Sequence, residues 1–122
     1  MAIEISDRCV YAYDYDYDND LDLLVVSDFA GVDLYENDGS GKFSDVTESS
    51  FYNRHLFGMA HTIEDFNHDG LLDLYAIGMS STTARRLDSM NAGPEDFPGH
   101  NKMRSSMGYG NRLYLGVAGG GF

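Results

Sequence analysis

Acidic residues are concentrated in two short stretches of the sequence, residues 14–22 and 65–73, which together hold eight of its twenty carboxylates. Within each stretch, side chains that bear oxygen recur at positions 1, 3, 5 and 9 of a nine-residue segment. Like charges this close repel one another, so a cation would relieve the arrangement. Carboxylate, amide and carbonyl oxygens on a flexible loop suit Ca²⁺, whereas Mg²⁺ requires stricter octahedral geometry. The spacing therefore predicts one Ca²⁺ in each stretch.

The predicted ligands follow from these positions. Position 7 would contribute its backbone carbonyl. Position 6 needs a residue that tolerates a left-handed backbone, as Gly70 does freely and Asn19 does at some cost. The complete set of predicted metal ligands is Asp14, Asp16, Asp18, Asp20 and Asp22 in the first stretch, and Asp65, Asn67, Asp69, Leu71 and Asp73 in the second.

Three other interpretations of the acidic stretches compete with this nine-residue calcium loop. An EF-hand requires a bidentate Glu at position 12, but that position is Val25 in the first stretch and Ala76 in the second. A catalytic carboxylate pair would place one acid in an apolar pocket, whereas these acids lie in polar segments and recur in both stretches. A solvated acidic turn leaves the Asp before the following strand unexplained in both copies. We therefore predict a chain that binds calcium and is not an enzyme.

The two acidic stretches belong to an internal repeat. A shift of 51 residues aligns residues 14–26 with residues 65–77. It places Asp at positions 1, 5 and 9 in both stretches and aligns Asp16 with Asn67. A shift of 79 residues aligns residues 33–43 with residues 112–122. Self-similarity at a period of about fifty residues is typical of solenoids, propellers and other repeat arrays.

The difference between the two shifts places an insertion of 28 residues in the second unit, at about 80–108. The predicted units are a first repeat at residues 1–55 and a second repeat at residues 56–122. The sequence stops at Phe122, the equivalent of Phe43, so the second repeat is expected to be incomplete at its C-terminal end.

Each repeat has the pattern of short strands. The apolar segment after each acidic stretch fits a buried strand, and "NDGSG" between two strand-like segments predicts a β-hairpin. Within the insertion, "STTARRLDSM" is typical of a helix, with Ser81 or Thr82 as its N-cap. Four-stranded antiparallel sheets repeated along a chain predict an all-β fold of β-propeller-type blades. Because two blades alone would leave apolar faces open, we expect a part of a longer chain or a subunit that self-assembles.

The segment "LFGMAHTIEDFNHDGLLDLYAIG" (56–78) resembles the FG-GAP/VCBS repeat, the blade unit of integrin-α-type propellers. Phe57 and Gly58 match the Phe-Gly of that family, and the second acidic stretch matches its calcium loop. The first repeat is similar to the same family, and its ending "LYENDGSGKFSDVT" is similar to the bacterial branch related to the cartilage acidic protein and to ASPIC/UnbV proteins. The resemblance implies an extracellular or cell-surface module, stabilised by calcium, with a role in adhesion, ligand binding or assembly.

Composition limits the partners. A formal charge of −12 argues against nucleic acid and against an anionic membrane surface, and we predict no membrane span. The predicted partners are other blades of the same or neighbouring chains, together with a glycan or protein ligand. The insertion carries Arg85, Arg86, Lys102 and Arg104, which favours a polyanionic glycan or an acidic partner unless it is only a variable surface loop. The alternative functions are a self-assembling subunit of a surface ring or filament and a carbohydrate-binding, lectin-like propeller fragment.

Overall fold

Two antiparallel sheets form the framework of the computed structural model, which describes residues 8–28, 30–90 and 98–122. The first sheet contains, in order, β1 (Arg8–Tyr13), β2 (Asp22–Ser27), β3 (Gly31–Asn37) and β4 (Phe43–Asp45). The second contains β5 (Gly58–Glu64), β6 (Asp73–Gly78) and β7 (Arg112–Tyr114). Three helices lie outside the sheets, namely α1 (Thr47–Ser50), α2 (Thr82–Ser89) and α3 (Pro98–Met107). The predicted antiparallel strands are confirmed, and closure into a propeller stays a prediction.

The strand register reproduces the internal repeat. In the first sheet Leu24 lies opposite Leu34, and at the equivalent positions of the second sheet Tyr75 lies opposite Leu113. The pairs between β5 and β6 at residues 60–63 are those between β1 and β2 shifted by 51 residues. For example, Ala60 lies opposite Ile77 as Cys9 lies opposite Val26. The two sheets are therefore structural copies, even though the offset between them changes from 51 residues at the second strand to 79 at the third.

The hydrophobic core lies between the two sheets. Leu24, Val26 and Leu34 are completely or almost completely buried on one face of the first sheet. They belong to the same cluster as Leu74 and Ala76 of β6, which are also inaccessible to solvent. Successive residues of a strand point to opposite faces, so this contact buries one face of each sheet. Burial of that apolar surface is the main force that joins the two repeats.

The segment between the sheets begins with α1, a single helical turn that the sequence does not predict. Thr47 is buried there, and its hydroxyl oxygen accepts a hydrogen bond from the backbone N–H of Leu34 at 2.9 Å. Phe51 follows and packs edge-on against Tyr114 and face-to-face on Phe122. The connection is therefore fixed to both sheets.

Both longer helices lie between β6 and β7, within the predicted insertion. The prediction of α2 is confirmed, and the Ser81 side chain caps it by accepting a hydrogen bond from Ala84 N at 3.1 Å. The sequence does not predict α3, because its Gly, His, Asn and Ser residues have low helix propensity. A tertiary contact holds it instead, since the Arg112 guanidinium donates to the Ser106 carbonyl at 2.6 Å. In the part of the chain that the structure describes, no helix has the length and apolar character to cross a membrane.

Gly31 provides a test of the packing between β3 and the connecting segment. Its φ is +85°, and a Cβ at this position would lie 2.0 Å from the Arg54 carbonyl oxygen. Val32 N donates to that same oxygen at 2.9 Å, so β3 cannot move away without losing the bond. We predict that Gly31→Ala lowers the free energy of unfolding by about 3 kcal/mol or more, from the left-handed backbone and the clash together.

The matched control is Gly41→Ala, measured in the same urea denaturation series. Gly41 also has a φ of +85°, but a Cβ there would meet nothing within 4 Å. Its substitution should cost only about 1 kcal/mol, the penalty of the left-handed conformation alone. Equal losses for the two variants would contradict the assigned contact between Gly31 and Arg54.

Candidate metal centre

Each acidic stretch forms a tight loop between the first and second strands of its sheet. Two residues in each loop have a left-handed backbone, Tyr17 (φ 66°) and Asn19 (φ 76°) in the first and His68 (φ 61°) and Gly70 (φ 88°) in the second. The bend predicted at position 6 is confirmed in both loops. Nothing in the sequence marks the bend at position 4, because a positive φ is uncommon for a residue such as Tyr.

Backbone N–H groups hold the acidic side chains of the first loop against its own main chain. The Asp14 carboxylate accepts hydrogen bonds from Asp18 N and Asn19 N, both at 3.0 Å. Asp16 accepts a longer one from Asp18 N at 3.3 Å, and Asp18 accepts one from Asp20 N at 3.1 Å. The side chains at positions 1, 3 and 5 are thereby directed into the same turn.

The second loop repeats this pattern bond for bond. Asp65 accepts from Asp69 N at 3.1 Å and from Gly70 N at 2.9 Å. The amide oxygen of Asn67 accepts from Asp69 N at 3.1 Å, and the Asp69 carboxylate accepts from Leu71 N at 2.9 Å. The two loops are therefore built alike, and an ion that suits one has an equivalent frame in the other.

Three carboxylates converge in the first loop. Asp14, Asp16 and Asp18 each place an oxygen within 4.8 Å of the other two. Partial burial is the main cause that raises the pKa of Asp16, and the negative charges of Asp18 and Asp22 add to it. A raised pKa means that the ionised carboxylate is disfavoured where it lies, and a bound cation would reverse that effect. This all-oxygen donor set fits a hard cation such as Ca²⁺.

Asp20, at position 7 of the first loop, lies outside the group of three converging carboxylates. One of its carboxylate oxygens is enclosed and has no hydrogen-bond partner among the described residues. Desolvation, followed by the charges of Asp18 and Asp22, raises the pKa of Asp20. A proton, a water molecule or a cation would satisfy such an acceptor. Leu71, at the same position of the second loop, has no such group, and the role of either carbonyl as a ligand stays a prediction.

Asp22, at position 9 of the first loop, connects three parts of the first sheet. Its side chain is completely buried. One oxygen accepts a hydrogen bond from Tyr15 N in the loop at 3.0 Å, and the other accepts one from Asn37 N at the end of β3 at 2.8 Å. Asp22 lies outside the group of three converging carboxylates, and its role as a metal ligand stays a prediction. The structure gives it a second role, which is to join the loop to the third strand.

Asp73 does the same in the second sheet. It is also completely buried, and it accepts hydrogen bonds from Phe66 N at 2.9 Å and from Gly116 N at 2.8 Å. These donors are the repeat equivalents of those that bind Asp22. The recurrence of Asp at position 9 therefore has a structural reason that does not depend on a metal ion.

The two loops also contact each other directly. The phenolic oxygen of Tyr17, at position 4 of the first loop, accepts a hydrogen bond from Leu72 N in the second loop at 3.0 Å. These residues are 55 positions apart, and neither position carries a sequence signal for the contact. The loops consequently form one continuous edge of the two-sheet structure.

A comparison with protein-family models matches residues 14–76 to the FG-GAP-like repeat, which is just over half of the chain. The chain belongs to the FG-GAP-like repeat family. The match begins at the first residue of the first acidic loop and ends within β6, so it includes both loops of this FG-GAP-like chain. The comparison with curated proteins and the comparison with solved structures gave no match.

Substitution of Asp22 tests its structural role separately from metal binding. We predict that Asp22→Ala, measured with a chelator present, lowers the free energy of unfolding by about 3 kcal/mol, because two N–H groups lose their buried acceptor. Asp18→Ala under the same conditions should cost about 1 kcal/mol or less, since Asp18 is exposed. Urea denaturation of both variants measures the difference. If Asp22→Ala were as mild as Asp18→Ala without metal, Asp22 would act only as a ligand.

Proposed function

We propose that this FG-GAP-like chain is a structural repeat module stabilised by calcium, with one Ca²⁺ in each acidic loop. The observation that carries the proposal is the convergence of Asp14, Asp16 and Asp18, whose oxygens lie within 4.8 Å of one another. The second loop supports it independently, because its side chains follow the same hydrogen-bond pattern.

The acidic residues of each loop would have two different roles, to bind the ion and to join the loop to the sheet. In the first loop, the carboxylates of Asp14, Asp16 and Asp18 would hold the ion together with the predicted backbone carbonyl of Asp20, while Asp22 fixes the loop to β3. Bound calcium would supply positive charge that compensates the crowded carboxylates. The second loop has an amide at position 3 in place of a carboxylate, so it carries less negative charge and should bind Ca²⁺ more weakly.

A non-catalytic role in an extracellular or cell-surface setting completes the proposal. The acidic residues lie in two equivalent polar loops, which favours a repeated structural site over a single catalytic centre. The setting rests on the family alone, whose calcium-stabilised modules serve in adhesion and assembly.

Removal of calcium tests the proposal directly. We predict that EDTA lowers the melting temperature and that excess Ca²⁺ restores it, because an ion that binds only the folded chain stabilises it by mass action. A free concentration 100 times the dissociation constant would contribute about 2.7 kcal/mol, or a shift of roughly 10 °C for a domain of this size. Isothermal titration calorimetry should give two ions for each chain.

Loop variants assign the two sites. Asp14→Ala and Asp65→Ala should each reduce the stoichiometry from two ions to one. Asp38→Ala is the matched control, because Asp38 lies in the acidic turn between β3 and β4, where it accepts hydrogen bonds from Ser40. A chain equally stable in EDTA and in calcium, with no heat of binding, would refute the proposal.

A second candidate function, assembly through open blade faces, is favoured by one specific observation. Leu24, Val26 and Leu34 of the first sheet are buried beneath the second sheet. Their repeat equivalents form the outer face of the second sheet, defined here by Tyr75, Ile77 and Leu113, and Ile77 and Leu113 remain 43% and 52% exposed. The equivalent face is covered in the first repeat, whereas in the second none of the residues that the structure describes covers it. Such a face is suited to another blade, from the same or a neighbouring chain.

Light scattering coupled to size-exclusion chromatography tests this assembly. We predict that the chain self-associates and that Ile77→Glu and Leu113→Glu each shift it toward the monomer, because a charge on the outer face opposes burial. Tyr52→Glu is the control, since Tyr52 is fully exposed and outside that face. A folded, strictly monomeric species of 13.5 kDa at all concentrations would exclude assembly between copies of this chain.

A further inference from the structure

A cavity of about 300 Å³ opens where the segment between the sheets meets α3, apart from the acidic loops. Its wall includes an aromatic and a thioether side chain together with hydrogen-bonding and cationic groups. The lining residues that matter here are Phe51, Asn53, His55, Lys102, Met103 and Ser106. The volume lies at the lower end of the range for small-molecule sites, which begins at about 300 Å³.

Contacts from three directions fix the wall of the cavity. The Asn53 side chain donates to Ser106 Oγ at 3.0 Å, which joins the connecting segment to α3. The Asn53 carbonyl accepts a hydrogen bond from the Tyr114 hydroxyl at 2.9 Å, which joins the same segment to β7. Phe51 is held between the rings of Tyr114 and Phe122. These contacts hold the connecting segment against α3 and β7 and so fix this side of the cavity.

The two cationic side chains that line the cavity differ in whether an acidic residue of the protein already compensates their charge. Arg54 pairs with Asp33 and with Glu48, so its charge is compensated within the protein. Lys102 also lines the cavity and forms no ion pair with any residue that the structure describes. Burial, and then the nearby Arg54 charge, lowers the pKa of His55, so its imidazole is neutral near pH 7 and can donate or accept a hydrogen bond.

The apolar part of the wall lies on the same cavity. Phe51 is only 6% exposed, so the half-buried Met103 offers most of the apolar contact surface for a ring or a short hydrocarbon. An ammonium group and an apolar surface on one cavity form the arrangement that recognises an amphipathic anion, with the charge on Lys102 and the body against Met103. We propose that this cavity binds a small organic carboxylate.

Two charge effects oppose the binding of an anion in this cavity. The formal charge of −12 repels anions at long range, but at about 0.1 M salt such effects are screened beyond about 10 Å, so the contacts within the cavity decide. Glu48 lines the cavity and would attract a cation instead, yet it is largely solvent-exposed and lies 3.5 Å from Arg54. Lys102 is thus the charge that a ligand can neutralise.

The basic residues of the insertion, which the sequence analysis treats together as a site for a polyanion, differ in their position relative to the cavity. Arg85 and Arg86 are exposed on α2, and Arg85 donates to Ser80. Lys102 alone of the four lines the cavity. The insertion therefore supplies one cationic group to a site for a small ligand.

Titration of the full chain with small carboxylates tests the proposal. The probes are benzoate, with an apolar ring, and D-glucuronate, with a hydroxylated ring, followed by ¹H–¹⁵N NMR shifts at Asn53, Lys102 and Ser106. Saturable binding of either probe supports the proposal, and the tighter one identifies the body of the ligand. Benzyl alcohol and methyl glucoside, which lack the charge, should bind at least about fivefold more weakly.

Variants with opposite expected signs complete the test. Lys102→Gln should weaken carboxylate binding about fivefold, and Glu48→Gln should strengthen it, because it removes a competing anion. Arg85→Gln is the matched control and should leave the affinity unchanged. The proposal is overturned if neither carboxylate saturates below about 10 mM (a binding energy near 3 kcal/mol), if benzylamine binds better than benzoate, or if Lys102→Gln has no effect.

Discussion

A buried carboxylate at the end of each acidic loop is the interaction on which the rest of the structure depends. Asp22 and Asp73 are both completely buried, and each accepts two backbone hydrogen bonds from separate segments. Taking a carboxylate out of water is costly unless donors replace the lost hydration. Here the donors are one N–H group from the loop and one from the third strand, as at Asn37, or from just past its end, as at Gly116. The loop, the second strand and the third strand of each sheet are consequently fixed together.

This arrangement explains why the loops can hold several acidic residues near one another. The backbone of each loop already turns around its own carboxylates, because N–H groups at positions 5, 6 and 7 donate to side chains at positions 1, 3 and 5. Desolvation, with a further contribution from the local repulsion between carboxylates, raises the pKa of Asp16 and of Asp20. A cation at this point would act on a frame that is already formed, so calcium would add stability to the fold without having to create it.

The acidic loops and the cavity lined by Lys102 are chemically distinct parts of the molecule. The loops offer oxygen ligands on the edge where the two repeats meet through Tyr17 and Leu72. The cavity is built from the connecting segment and the insertion, and its lining includes the cationic Lys102 and the apolar side chain of Met103. The repeat thus provides a stable framework, and the inserted segment adds a binding surface to it, as long insertions on rigid scaffolds often do.

The sequence alone determined the repeat, the strands and the positions of the loop residues. The signals are local, because they depend on side-chain type and backbone preference at single positions. They are the similarity of residues 51 positions apart, the apolar runs, and the residues Asn19 and Gly70 that permit a bend. Tertiary structure alone decided the bonds of Asp22, the formation of α3 and the cavity beside it. Those features arise where segments distant in sequence supply donors, charges or apolar surface to one another, and no local pattern records which partner a buried group will meet.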